Sequence, residues 1–186
     1  MKDFARTLVC LLFAAALAAG ARPAAGQKPP GEYEVKAAFL YNVLAFVEWP
    51  SPMNGSADTL RICVLGEAPG GDAFDDLNGQ VITGRKVEIV HLTSLTDLGR
   101  CSVLFIGSSE KRNIHRILKT LEGTRILSVG DTAGFARQGV IINFYLEQKK
   151  VRFEVNAAAA RQAGLIISSK LLKLAGSVYG ASPAGE

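Results

Sequence analysis

The chain has 186 residues, 48% of them hydrophobic and 20% charged, with a formal net charge of +4. That composition is too apolar for a disordered chain, the length fits one domain, and three cysteines exclude a dense disulfide scaffold. Part of the basic charge is concentrated near the N-terminus, so a nucleic-acid partner is not implied.

Lys2 and Arg6 precede an apolar run, Leu8 to Ala19, that is too short to span a bilayer and suits a secretory h-region. Small residues offer a cut after Ala21, with Ala19 three places in, or after Gly26, with Ala24 in that place. The second, before Gln27, is preferred, and residues 1–26 are read as a signal peptide. Cys10 follows Thr7, Leu8 and Val9, a poor context for lipidation. Without this leader the chain keeps 18 basic and 16 acidic residues, a net charge of +2. Residues 27–179 suffice for a single domain with its own core.

The mature chain opens on a predicted helix from Glu32 to Trp49, with Val35, Ala38, Phe39, Val43, Phe46 and Val47 at helical spacing and Pro50 and Pro52 as the stop. Leu40, Tyr41 and Leu44 make its other side apolar too, which predicts burial on two sides or a contact surface. A polar turn, Asn54 to Asp58, leads to a strand, Leu60 to Leu65, and then a short helix around Asp72 to Leu77. Strands follow at Lys86 to His91 and Val103 to Ile106. Ser108 or Ser109 is expected to cap a helix from Glu110 to Leu121, whose Ile114, Ile117, Leu118 and Leu121 form one stripe. A strand from Arg125 to Val129 comes next. Gly139 to Leu146 and Val151 to Val155, joined by the turn Glu147 to Lys150, form a hairpin. Helices at Ala157 to Ala163 and Ser168 to Tyr179 close the domain, and residues 180–186 are read as a disordered tail.

Alternating strands and helices predict an α/β fold, a three-layer sandwich with a mostly parallel sheet, helices on both faces and a C-terminal antiparallel hairpin at one edge. Such sheets place ligands at the C-terminal ends of their strands, which makes Gly66, Gly107, Ser108, Ser109 and Asp131 the ligand-binding candidates. The run Gly66-Glu67-Ala68-Pro69-Gly70-Gly71 lacks the spacing of a dinucleotide fingerprint, and no Walker loop is present. Asp131 has no His or second carboxylate close in sequence, and Ser168-Ser169 is no nucleophile elbow. No catalytic residue and no cofactor are assigned. His91 and His115 have no ligand-spaced neighbours, so no metal site is assigned either. Cys63 and Cys101 pair if their strands are neighbours; otherwise they are two buried thiols.

Several blocks together resemble the YfiR family of periplasmic proteins. They are Tyr33-Glu34-Val35-Lys36-Ala37-Ala38-Phe39-Leu40-Tyr41-Asn42, Phe46-Val47-Glu48-Trp49-Pro50, Ile62-Cys63-Val64-Leu65-Gly66 and Cys101-Ser102-Val103-Leu104-Phe105-Ile106-Gly107. Val129-Gly130-Asp131, Gly134-Phe135-Ala136, Val151-Arg152-Phe153-Glu154-Val155-Asn156 and Ser168-Ser169-Lys170-Leu171-Leu172-Lys173-Leu174-Ala175 continue the match over nearly all of the mature chain.

The resemblance implies a non-enzymatic periplasmic regulator that binds the periplasmic domain of an inner-membrane diguanylate cyclase and represses it, lowering cyclic di-GMP and so affecting biofilm behaviour. It also implies sequestration by an outer-membrane OmpA-like lipoprotein, a homodimer, and a bridge between Cys63 and Cys101. A second family bridge falls near Ala136 and Asn143, where this chain has no Cys. Glu154 matches a position linked to partner contact, and Arg152 beside it is a further candidate; the plain alternative is a solvated Glu154 paired with Arg152 or Lys150. Trp49 and Phe46 are candidates as a partner hot spot, with a core anchor as the alternative. The competing reading is a periplasmic small-ligand sensor or solute-binding protein serving another membrane signalling protein such as a sensor kinase. It expects a pocket at the strand ends.

Overall fold

The first helix, α1 (Glu32–Leu44), begins at Gly31, whose N–H donates to the Glu34 carboxylate at 3.0 Å, and carries Glu32 and Glu34 in its first turn, where acidic groups offset the helix dipole. The architecture is that of a computed structural model, which describes residues 30–49, 58–67 and 71–181. The leader at 1–26, Pro50, Pro52, most of the turn at 54–58 and residues 182–186 of the expected tail lie outside the described residues. The described residues from Gly31 onward form one compact unit.

The helix is shorter than its apolar spacing predicts, ending at Leu44, because Val47–Glu48 enters a strand, β1, that pairs with Ile166–Ile167, β9. Its orientation also differs. The buried face is Tyr33, Lys36, Ala37, Leu40, Val43 and Leu44, while Val35 and Phe39 are half-buried and Ala38 is exposed. Two apolar stripes competed, and the one with Leu40 and Leu44 holds the sheet.

Among the described residues the main sheet has eight strands. In chain order they are β2 (Thr59–Leu65), β3 (Val81–Ile82), β4 (Arg85–Leu92), β5 (Val103–Ile106), β6 (Leu127–Gly130), β7 (Ile142–Glu147), β8 (Lys150–Asn156) and β10 (Ser177–Tyr179). The order across the sheet is β10-β8-β7-β6-β5-β2-β4-β3, with only β3/β4 and β7/β8 antiparallel. Between them run α2 (Ile114–Leu121), α3 (Phe135–Gln138), α4 (Ala157–Gln162) and α5 (Ser169–Leu174). The α/β class, the mostly parallel sheet and the hairpin agree with expectation.

Strand alternation sorts the core into two halves. Leu60, Ile62, Val64, Val103, Phe105, Leu127, Val129 and Phe144 face α1, whereas Cys63, Leu65, Leu104 and Ile106 face α2 with its Ile114, Ile117 and Leu121. Helices on both faces make the three layers. Among these side chains Cys63 of β2 is bonded to Cys101, which lies two residues before the neighbouring strand β5, their Cα atoms 5.9 Å apart.

Two later helical stretches also differ from expectation. The stretch Glu110 to Leu121 opens as a 3-10 turn, Ser108–Asn113, before α2, and neither serine caps it. Ser109 Oγ instead accepts the Glu67 N–H at 2.9 Å. The stretch Ser168 to Tyr179 is a helix only to Leu174. Gly176 then donates its N–H to the Phe153 carbonyl at 2.9 Å and lies against Tyr145 so closely that a Cβ there would collide with the hydroxyl. That contact starts β10, which pairs parallel to β8 and extends the sheet one strand beyond the hairpin, so the hairpin is not the sheet's outermost element.

Candidate functional site

Asp131 follows the last residue of β6, at the end of the sheet where ligands bind in folds of this type. Tyr33 and Lys36, three residues apart on the buried face of α1, both reach it: the Tyr33 hydroxyl donates to Asp131 Oδ2 at 2.5 Å and Lys36 Nζ donates to the same oxygen at 3.0 Å. Lys36 also pairs with Glu32 at 2.6 Å and sits 4.2 Å from the centre of the Tyr33 ring. The side chains of Lys36 and Asp131 are 3% and 1% exposed. Burial, together with the hydrogen bond to and the charge of Asp131, raises the Tyr33 pKa well above its ordinary value, while a hydrogen bond with Ser108 opposes the shift. Tyr33 is therefore a neutral donor. Asp131 Oδ1 and Thr132 Oγ1 are buried with no partner among the described residues.

The other strand-end candidates close on each other. The Gly107 N–H donates to the Leu65 carbonyl at 2.8 Å, and a side chain at Gly107 would meet the Glu67 carbonyl. At Gly66, which has φ +80°, a Cβ would run into Ser109 Oγ and Glu110. These glycines let two loops interlock. Of the five ligand candidates, then, the structure brings Asp131 and Ser108 to one cluster through Tyr33, and Gly66, Gly107 and Ser109 to a separate contact.

A second polar cluster lies on the hairpin. Glu154 faces Asn143 across the β7/β8 ladder, on the side of the sheet opposite Phe144 and Phe153. Its carboxylate accepts from the Tyr179 hydroxyl at 2.9 Å and from Asn143 Nδ2 at 3.5 Å, and Arg137 Nε donates to Tyr179 Oη at 3.3 Å. Arg152 pairs with Glu147 at 3.5 Å, not with Glu154. Phe46 and Trp49 pack half-buried against the core on the α1 side, Trp49 with the Arg85 guanidinium 5.8 Å from its ring centre. The four partner candidates thus fall on two faces of the sheet.

Sequence reading singled out neither Tyr33 nor Lys36 as site residues, and Tyr179 and Arg137 also went unnoticed. A lysine on the face that also carries Leu40 and Leu44 was the available signal, since a buried Lys needs a counter-charge.

The geometry defines a small α/β domain in which Tyr33, Lys36 and Asp131 Oδ2 bond to one another at one strand end and a second, more exposed polar cluster lies on a hairpin face. A family model described as YfiR/HmsC-like matches residues 33–176, and the chain belongs to that family, one of periplasmic regulators connected with cyclic di-GMP signalling. Among solved structures, a conserved domain protein from Vibrio cholerae superposes with a TM-score of 0.51 at 13% identity, covering 79% of this chain and 60% of that one. It supports the fold alone. The ABC domain from Streptococcus pneumonia in complex with L-Trp is similar at a TM-score of 0.48 and 11% identity, over 64% of this chain and 55% of that one, too loose a likeness to argue from. The chain spans little more than half the length of these two structures. Among the described residues no helix is long and apolar enough to cross a membrane.

Proposed function

We propose that this protein is an exported, non-enzymatic regulator that binds the periplasmic domain of an inner-membrane diguanylate cyclase and represses it, lowering cyclic di-GMP. Family membership over residues 33–176 carries the reading. The use of the polar groups supports it: the carboxylate best placed for chemistry, Asp131, has its Oδ2 occupied by Tyr33 and Lys36. A general acid or base needs a substrate within hydrogen-bond reach, and these bonds are spent on the fold.

The partner-facing surface in this reading is the hairpin face, with Glu154 and Arg152 from the sequence and Tyr179 and Arg137 added by their bonds around Glu154. Tyr and Arg are enriched among residues that dominate binding energy. Phe46 and Trp49, on the other side of the sheet, form a second contact in the same assembly. A homodimer is the engaging species, and an outer-membrane OmpA-like lipoprotein competes for it.

Deleting the gene is expected to raise cellular cyclic di-GMP, and a Glu154→Arg protein is expected to fail to restore the low level while remaining folded and exported. An unchanged level in the deletion strain removes the cyclase-repressor reading.

A further inference from the structure

The end of the sheet opposite Asp131, where β6 and β7 begin, holds a cavity of about 390 Å³, within the range of small-molecule sites. The competing ligand reading expects a pocket at the other end of the strands, so this one is not a strand-end site of the usual kind. Three helices finish around it, α2 at Leu121 and Glu122, α3 at Gln138 and α4 at Gln162. Helix C-termini carry partial negative charge, and Glu122 is the only ionisable side chain among the described residues that line the cavity. Arg161, next to Gln162 in sequence, is turned to the Gly180 carbonyl at 2.8 Å. Among the described lining residues the one formal charge is therefore the negative charge of Glu122.

The wall is mixed: Leu118, Leu121 and Ile126 supply an apolar part, and Ser128 adds a polar lining group that is only 2% exposed. Its hydroxyl oxygen accepts the Ile141 N–H at 2.9 Å, and its own proton has no acceptor among the described residues. A hydroxyl has a donor to place as well as lone pairs, and a buried donor without an acceptor is unfavourable. An acceptor supplied from the cavity would satisfy it.

We propose that this cavity binds a small organic amine with an apolar body, its ammonium at the mouth beside Glu122 and a carbonyl or hydroxyl oxygen accepting the Ser128 proton. The inference does not depend on the cyclase reading, since it concerns a different end of the sheet and is tested without a partner.

The test is a titration of the purified protein with leucinamide, followed by calorimetry and by backbone amide resonances. Saturable binding is expected, with shifts concentrated at Ser128, Gln138 and Gln162. Leucine, which adds a carboxylate, and 4-methylpentanamide, which lacks the amine, are expected to bind about tenfold more weakly. Glu122→Gln is expected to weaken leucinamide about fivefold. Leu118→Phe, which fills the space from a half-buried position, is expected to abolish binding with the unfolding midpoint unchanged. The proposal is overturned if these amides do not respond at about 10 mM leucinamide, if 4-methylpentanamide binds as well as leucinamide, or if Leu118→Phe binds like the parent.

Discussion

Asp131 and Glu154 have similar neighbours and opposite settings. Each carboxylate accepts from a tyrosine hydroxyl, Tyr33 at 2.5 Å and Tyr179 at 2.9 Å, and each cluster includes a cation, Lys36 or Arg137. Lys36 is 2% exposed, whereas Arg137 is an exposed residue and Glu154 is half-buried. Burying a charge is unfavourable by several kcal/mol unless its partners are all in place, so the first cluster tolerates no loss. The second is screened by water and its bonds are individually weak, which leaves its groups free to exchange partners. The same chemistry serves as a lock between α1 and the sheet in one place and as an adaptable surface in the other.

The lock is broken most directly by removing its cation. Lys36→Met leaves the Asp131 carboxylate buried without it, and a loss of about 3–5 kcal/mol in urea unfolding is expected. Adding Asp131→Leu to that variant removes the stranded charge and is expected to restore much of the loss. A single-variant loss below about 1 kcal/mol would mean that water already reaches the pair and that the contrast in burial is overstated.

The disulfide separates stability from surface function. Cys63 and Cys101 are 38 residues apart, and chain entropy assigns a bridge of that span about 4 kcal/mol, with strain reducing it. A Cys63→Ala, Cys101→Ala protein is expected to lose about 2–4 kcal/mol by thermal or urea unfolding. The Glu154 cluster is formed by β7, β8, β10 and α3, away from the bridge, so partner capture below the new midpoint is expected to persist. Loss of capture in a still-folded double variant would join the two regions and defeat the division.

Tyr33→Phe probes the lock more gently. It deletes one hydrogen bond to a charged group and is expected to reduce stability by about 1.5–3 kcal/mol. Its pH dependence has a definite sign. The folded protein holds the Tyr33 proton above the ordinary value of 10.0, so at high pH the unfolded chain binds fewer protons than the folded one and stability falls as pH rises. Below that value the contribution is complete. The gap between parent and Tyr33→Phe is expected to narrow from about pH 9 to about pH 11. A constant gap across that range would show that the phenol titrates alike in both states.

Much of this architecture is legible from periodicity. The runs at Leu60, Lys86, Val103 and Val151 announce their strands because β-branched and apolar residues fill buried positions, and Val103–Ile106 is matched to the residue. Short elements are not legible: β1, β9 and β10 have two or three residues each, fewer than a period needs to show. For β10 the decisive signal is Gly176, whose meaning appears only once Tyr145 is beside it. The lock escapes for a related reason. Tyr33 and Lys36 are 98 and 95 residues from Asp131, and pairing across that distance is fixed by the fold, not by local pattern. Glu154 stands out through family likeness, but its partner does not; cross-strand logic favours Arg152 or Lys150, and the outer strand supplies Tyr179 instead.

The smallest expected effect on stability belongs to the hairpin face, and there the comparison is sharpest. Arg152 and Glu147 are 54% and 55% exposed and 3.5 Å apart, a pair that surface measurements value at about 0–1 kcal/mol. Arg152→Ala is therefore expected to leave the unfolding midpoint almost unchanged, and Arg137→Ala likewise. If this face meets the cyclase, the same two variants slow capture of its periplasmic domain or speed its release, because interface Arg residues act through contacts that the free protein does not make. The opposite pattern, a loss of stability with capture intact, would move Glu154 and its neighbours into the same class as Asp131: groups that hold the fold and nothing else.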